Sequence, residues 1–388
     1  MPYSYHREWV DPHFDKSKPI AWDIETSLAP FGRSFGGKTR LVQLAQDGVC
    51  FIYDIFHINV SVIKTYLQDC HVYGHNLHYE LSCLDFQGFI PREIDDTMYL
   101  ARHKYPELES HSLKSVLAHL NIGVKADEGG SNWDSSLSKT QLDYAADDVL
   151  LLEEAYNKLK AAKDYTTYAL DIESLKLAVH YQLNGFPVIE SNRRKMVRAK
   201  KSLVKKAVAA LPLNFNCNSY MQVRDLLQSQ ASDDAFLQKC THQLAAPIRQ
   251  QRSALKALNF LEKFKLPRIY GFFQPSGAVT GRFTCKGMGG AIPASQNLQQ
   301  LPREMKSVFG YTEEDGRYLV DADFTSLEVY TAAGVMEADD IVDVLQSGQD
   351  FHTTTASMMY KKDYTEVTKD ERQAAKVATF AFMYGAGK

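Results

Sequence analysis

The sequence predicts an α/β domain with a mixed sheet covered by helices, then a helical region, then an incomplete α+β part. Three observations predict it. The runs KPIAWDIETSLAP (18–30), RLVQLAQDGVCFIYDIF (40–56) and VYGHN (72–76) read as strands alternating with helix-like segments. Residues 166–265 are mostly helical in pattern. Beyond residue 268 a Gly-rich stretch, PSGAVTGRFTCKGMGGAIPAS (275–295), precedes a strand-like RYLVDADF (317–324) and further helices. Strands first, then helices mixed with strands, suit a sheet layered with helices.

The elements follow in order. Residues 18–30 are a buried strand entering a loop, and 40–56 are two strands around the Asp47-Gly48 turn. HYELSCLDF (78–86), IDDTMYLARHK (94–104) and SLKSVLAHL (112–120) are expected helices, and a long helix runs from Ser138 to Lys163. The tract NRRKMVRAKKSLVKK (192–206) holds eight basic residues and no acidic one. Late helices are expected at 325–346, at 351–360 and from Asp370 onward. The domains expected are 1–165, 166–267 and 268–388.

Composition narrows the function classes. The chain has 388 residues, 45% hydrophobic and 23% charged, a globular rather than disordered balance. Its net charge is −3, so any contact with nucleic acid must come from local patches. No apolar run approaches the ~20 residues of a membrane helix. The opening MPYSYHREWVDPHF does not read as a signal peptide. The six cysteines (Cys50, Cys70, Cys83, Cys217, Cys240, Cys285) are scattered with no CxxC, which fits reduced thiols in a cytoplasmic compartment.

Chemistry-bearing residues gather in the first domain. Asp23 and Glu25 in WDIET are one residue apart, so on a strand both carboxylates share a face. A polar strand end with solvated acids explains that pair alone equally well. GHNLHYE (74–80) adds Asn76 and, four residues on, Glu80. YAADD (144–148) places Tyr144 and Asp148 at i and i+4 on one helix face. Four acids, Asp23, Glu25, Glu80 and Asp148, could surround two divalent ions (Mg²⁺ or Mn²⁺) roughly 3.5–4 Å apart, with Tyr144 orienting the attacking water.

In order and spacing these motifs resemble the DEDD superfamily of 3′→5′ exonucleases, in its tyrosine branch, over nearly all of residues 18–165. DDTMYLARH (95–103) and HSLK (111–114) resemble that family's intervening helices, with Asp96 a supporting acid rather than a ligand. The resemblance implies a ribonuclease H-like sheet, a frayed single-stranded 3′ end as substrate and a DNA contact at Asn76. The family usually has Asp where this chain has Glu80. The extra methylene shifts the carboxylate by about 1 Å, and such misplacement can cost on the order of 10²-fold in rate.

A second constellation comprises GAVTGRF (277–283), NLQQLP (297–302), DADFTSLEVY (321–330), QDFHTTTA (349–356) and ERQAAKVATFAFMYGAGK (371–388). Asp323 is expected to end a strand, a good place for a metal-binding carboxylate. Arg372, Lys376, Phe380 and Tyr384 recur every four residues as one helical stripe. Two cations then two aromatics suit a triphosphate lying beside a base; an amphipathic helix with aromatic core contacts has the same pattern.

Together these motifs resemble family A DNA polymerases of the bacterial polymerase I type, with YGAG and GAVTGR nearest the phage members. The resemblance implies a right-hand polymerase's helical thumb and partial palm and fingers. Asp323 would be the first palm aspartate and Glu328 the residue that blocks a ribose 2′-OH. His352, Arg372 and Lys376 would contact dNTP phosphates, and Phe380 and Tyr384 would pack near base and template. Arg282, Asn297 and Gln299 would contact the primer–template minor groove. The basic tract, with Arg193, Arg194, Lys195 and Arg198, would be a thumb helix tracking phosphates. Ala381 stands where the family usually has Gly.

The family's second catalytic aspartate, in a His-Asp-Glu motif, does not occur before Lys388. Two palm carboxylates are needed to hold two metals. The sequence reading is therefore a nuclease-bearing subunit or fragment of a split polymerase, extending primers only with a second polypeptide that carries the remaining fingers and palm. The alternatives are a stand-alone exonuclease with vestigial polymerase segments and a non-catalytic DNA-binding scaffold with a decayed site. The location expected is the cytoplasm, that of the host if the chain is phage-encoded.

Overall fold

The apolar run around Trp22 becomes the middle of a six-stranded sheet. In the computed structural model the described residues are 3–27, 38–123, 132–278, 280–287 and 295–386. The strands are β1 (Tyr3–His6), β2 (Ile20–Thr26), β3 (Thr39–Gln46), β4 (Val49–Asp54), β5 (His71–Gly74) and β6 (Glu93–Asp96), in the order β1-β4-β3-β2-β5-β6. β3 is antiparallel to both its neighbours, and the other pairs are parallel. The β3–β4 hairpin turns through Asp47 (φ 51°) and Gly48 (φ 77°), the positive-φ pair that a type I′ turn requires.

Helix Lys139–Leu159 starts in a Ser138/Gln141 capping box and lies against β2, β3 and β4. Its Glu153 carboxylate accepts from Asp47 N (2.6 Å) and Gly48 N (2.9 Å), tying the helix to the hairpin. Trp22, Tyr53, Tyr73 and Phe86 are fully buried in this core, and Tyr73 stacks on Tyr156 at 4.0 Å.

Three segments depart from the sequence reading. Tyr3–His6 is a strand that was not expected; its register comes from parallel pairing with β4, far away in sequence. Residues 94–96, expected to open a helix, are strand, because Val72 and Gly74 of β5 pair with Ile94 and Asp96. The helix begins at Thr97, where the Asp96 carboxylate accepts from Met98 N (2.8 Å). The expected strand at 317–324 is irregular chain: no described residue pairs with it, and Tyr318, Val320 and Phe324 are 85%, 84% and 78% exposed. Strand pattern without a ladder partner does not make a strand. Asp323 therefore sits in irregular chain, not at a strand end.

The chain divides into two compact units, Met1–Tyr318 and Leu319–Lys388. Beyond the sheet, the first unit carries helices Tyr168–Asn184, Glu190–Ala209, Tyr220–Leu227, Asp234–Lys239 and Ala245–Lys263. Helices Glu190–Ala209 and Ala245–Lys263 pack along each other. The second unit has helices Leu327–Met336, Asp339–Gln346, Phe351–Tyr360 and Lys369–Met383. The single helix expected at 325–346 is thus broken, at Glu337 (φ 53°). All six cysteines are free thiols. Among the described residues no helix is long and apolar enough to cross a membrane.

Candidate active site

Strand alternation turns Trp22 and Ile24 into one layer of the core and Asp23 and Glu25 toward the other face of β2. Helix Lys139–Leu159 brings Asp148 to that second face. One carboxylate oxygen from each of Asp23, Glu25 and Asp148 lies within 4.8 Å of the others. Tyr144, one turn before Asp148, is 5% exposed and hydrogen-bonds to its carboxylate. Burial first, then Asp148 and Glu25, pushes the phenol upward, so Tyr144 keeps its proton as a donor.

Glu80 arrives by a separate route. β5 ends at Gly74, where a Cβ would meet Leu77 Cδ2 at 2.2 Å and the Trp22 carbonyl oxygen at 3.1 Å. The chain then turns through Asn76 (φ 63°) into the short helix His78–Ser82. The Asp96 carboxylate holds this turn, accepting from Asn76 N (3.0 Å) and Leu77 N (2.8 Å). The hydroxyls of Tyr79 and Thr26 meet at 2.5 Å and tie the helix to the end of β2.

Glu80 is 3% exposed and hydrogen-bonds to Asp23. Burial, then the Asp23 charge, raises its pKa well above the usual carboxylate range, while its own backbone N–H pulls the other way. Its Oε2 is buried with no hydrogen-bond partner. Two facing carboxyls, a third and fourth acid alongside and an orphaned oxygen are the donor set a divalent cation fits: hard oxygen ligands whose mutual repulsion the ion relieves. The compact triplet is Asp23, Glu25 and Asp148; Glu80, with its longer side chain, joins it through Asp23.

The neighbouring acids are structural. Asp95 accepts from Tyr156 (2.7 Å) and Tyr168 (2.8 Å), and pairs with His71 (2.8 Å) and Lys163 (2.9 Å). Burial pushes its pKa up, but the His71, Tyr156 and Lys163 contacts outweigh that and hold it at about 2. Burial pushes Asp96 up to about 6 against its backbone donors.

The remaining expected residues are dispersed. Asn76 is exposed. In the basic helix, Arg193 is turned inward: its side chain is 11% exposed and donates to Glu190 (2.6 Å) and the Leu261 carbonyl (3.1 Å). Arg194 pairs with the same Glu190 (2.7 Å), and Lys195 and Arg198 are exposed. Asn297 Oδ1 accepts from Gln299 N (3.0 Å), and Gln299 Nε2 donates to the Phe283 carbonyl (3.0 Å), beside the exposed Arg282. Val279 and residues 288–294 of the Gly-rich stretch lie outside the described residues.

In the second unit, helix Lys369–Met383 and its C-cap Tyr384 carry the expected stripe. Arg372 makes a two-pronged ion pair with Asp350 (2.8 and 2.7 Å), whose carboxylate also caps helix Phe351–Tyr360. His352 is buried, 5.6 Å from the Phe380 ring, with Nδ1 unpartnered; burial lowers its pKa. Lys376 Nζ lies 5.9 Å from the Phe380 ring, and the Tyr384 hydroxyl donates to Glu328 Oε1 (3.1 Å). Asp350, the partner that fixes Arg372, was missed from sequence; its N-cap position before FHTTTA was the available signal.

Comparison with known proteins settles the family. A 3′-5′ exonuclease family model matches residues 11–163, and the DNA polymerase family A model matches residues 187–388. The chain belongs to DNA polymerase family A. Among family A relatives, DNA polymerase I of Aquifex aeolicus is 28% identical over 401 residues, which is 90% of this chain and 67% of the relative. DNA polymerase I of Chloroflexus aurantiacus is 25% identical over 94% of this chain and 44% of its own length; that of Borreliella burgdorferi is 20% identical over 81% and 38%. The chain therefore spans from about two fifths to two thirds of these relatives. The POL domain of Pol1 from M. smegmatis, solved in complex with DNA primer-template and dNTP, has a TM-score of 0.70 at 15% identity, covering 95% of this chain and 68% of that one. That likeness is one of fold, and it agrees with the fold class expected from the sequence.

Proposed function

We propose that this chain trims DNA from the 3′ end by two-metal phosphodiester hydrolysis, as the proofreading end of a family A polymerase. The observation that carries the reading is the Asp23, Glu25 and Asp148 triplet, with ligand oxygens within 4.8 Å of one another. Two divalent cations, Mg²⁺ or Mn²⁺, would supply charge neutralisation and an activated water at this site when bound. Asp23, Glu25, Glu80 and Asp148 would hold them. The protonated Tyr144 hydroxyl is a fixed donor beside Asp148, placed to orient a nucleophilic water. A frayed single-stranded 3′ terminus is the substrate class, with Asn76 contacting the strand and Lys195 and Arg198 drawing phosphates by charge.

The functional division on this reading is nuclease 1–165, thumb 166–267 and palm and fingers segments over 268–388. The polymerase half would hold a dNTP through His352, Arg372, Lys376, Phe380 and Tyr384, with Asp323 as one palm ligand. Arg372 would exchange Asp350 for phosphate, since guanidinium forks suit either anion. The cytoplasm is the location that goes with this reading.

The test is a 3′-labelled single-stranded oligonucleotide incubated with Mg²⁺ or Mn²⁺. The wild-type chain should trim it, and Asp23→Ala should reduce the rate by about 10³-fold or more, the several kcal/mol of a lost metal ligand. No trimming with either ion would replace this reading with that of a DNA-binding scaffold.

A further inference from the structure

Gln43 is a buried amide without a partner beside the acids. It sits in the middle of β3, 0% exposed, and both Nε2 and Oε1 are buried with no hydrogen bond. Its register partners are Asp23 on β2 and Ile52 on β4. Residues directly opposite on antiparallel strands project to the same face, so Gln43 shares the face of Asp23 and Glu25. Helix Lys139–Leu159 covers that face and brings Asp148 there. By register its other same-face neighbours on the three strands include the apolar Ala21, Leu41, Ala45 and Ile52.

A fully buried primary amide with neither atom satisfied is costly, and a leucine or methionine would fill the same space without that cost. Acids that ligate metals are themselves held by outer hydrogen bonds, which fix the carboxylate's orientation. We propose that Gln43 is the positioning residue of the nuclease site, its amide hydrogen-bonding the Asp23 carboxylate when divalent cation is bound. This rests on the nuclease reading above. Gln43 touches no reacting atom in this role; it acts through Asp23, limiting the rotamers from which that carboxylate can ligate.

The experiment uses the full chain with Gln43→Met and Gln43→Leu, titrated with Mn²⁺ alone and followed by the paramagnetic resonance of the free ion. Both variants should bind Mn²⁺ about 10–100-fold more weakly, the usual consequence of losing an outer-shell partner. Thermal unfolding without metal should be unchanged or shifted upward, because an unsatisfied amide has been removed. Affinity within twofold of wild type in both variants would overturn the proposal. So would a clear drop in the metal-free unfolding temperature of both, since the amide would then be serving the fold. Asp23→Ala separates the two readings. If it binds Mn²⁺ as the wild type does, the nuclease site itself is misassigned.

Discussion

The sheet of the first unit and the 319–388 unit carry their candidate site side chains in opposite ways. Around the sheet, Trp22, Tyr53, Tyr73, Tyr99 and Phe86 are essentially inaccessible, and Asp23, Glu25 and Asp148 project from elements locked into that core. In the second unit the buried residues are small or few, Val329, Ala333, His352, Ala356 and Ala375, while Val335, Met358 and Phe382 are 81%, 72% and 77% exposed. Its geometry is held by caps and polar pairs: Asp350 with Arg372, and the Thr368/Glu371 capping box. Acids brought within a few ångströms against their own repulsion require a rigid frame. A stripe of long side chains along one helix, Arg372, Lys376, Phe380 and Tyr384, does not.

Core truncation should separate the regions most strongly. Trp22→Ala should destabilise the first unit by about 3–5 kcal/mol, and Phe382→Ala the second by about 0.5 kcal/mol or less, as read from urea unfolding. Equal effects would erase the contrast.

Next in size is Glu80→Asp. If Asp23, Glu25 and Asp148 already form the rigid triplet, shortening Glu80 should raise the Mg²⁺-dependent trimming rate, by up to about 10²-fold. A slower variant would mean that the longer side chain is fitted to this frame.

Asp95 tests the frame through pH. Its folded pKa, about 2, lies below the ordinary 3.8, so the ionised form is favoured in the folded chain. The stabilisation, about 2 kcal/mol, is complete above pH ~4 and is lost as pH falls through about 2. Asp95→Asn should therefore be less stable than wild type at pH 7, with the deficit narrowing below pH 4. A deficit that is the same at pH 7 and pH 3 would assign the loss to packing instead.

The smallest effect concerns exposed charge. Replacing Lys195 or Arg198 by Gln should flatten the salt dependence of single-stranded DNA affinity by about 0.7 per residue in log–log slope. Arg193→Gln should instead lower stability, because Arg193 is tied to Glu190 and Leu261.

Legibility followed the range of the interactions. Asp23 with Glu25, and Tyr144 with Asp148, are readable because strand and helix periods alone place each pair on one face. The Asp47-Gly48 turn is readable because only certain residues accept two consecutive positive φ values. The RYLVDADF run misleads because its strand pattern finds no ladder among the described residues, and Tyr3–His6 passes unnoticed because its partner lies over forty residues away.

The sequence by itself determined the mixed sheet, the helical region after it, the order of the acids and the polymerase-type stripe, all consequences of local periodicity and motif order. Only the tertiary structure decided that Asp148 closes on Asp23 and Glu25, that Glu80 reaches them through Asp23, that Arg193 faces inward and that Gln43 lies opposite Asp23 with its amide unsatisfied. These depend on which strand pairs with which and on where a helix crosses the sheet. Chain-distant packing sets both, and no local pattern encodes them.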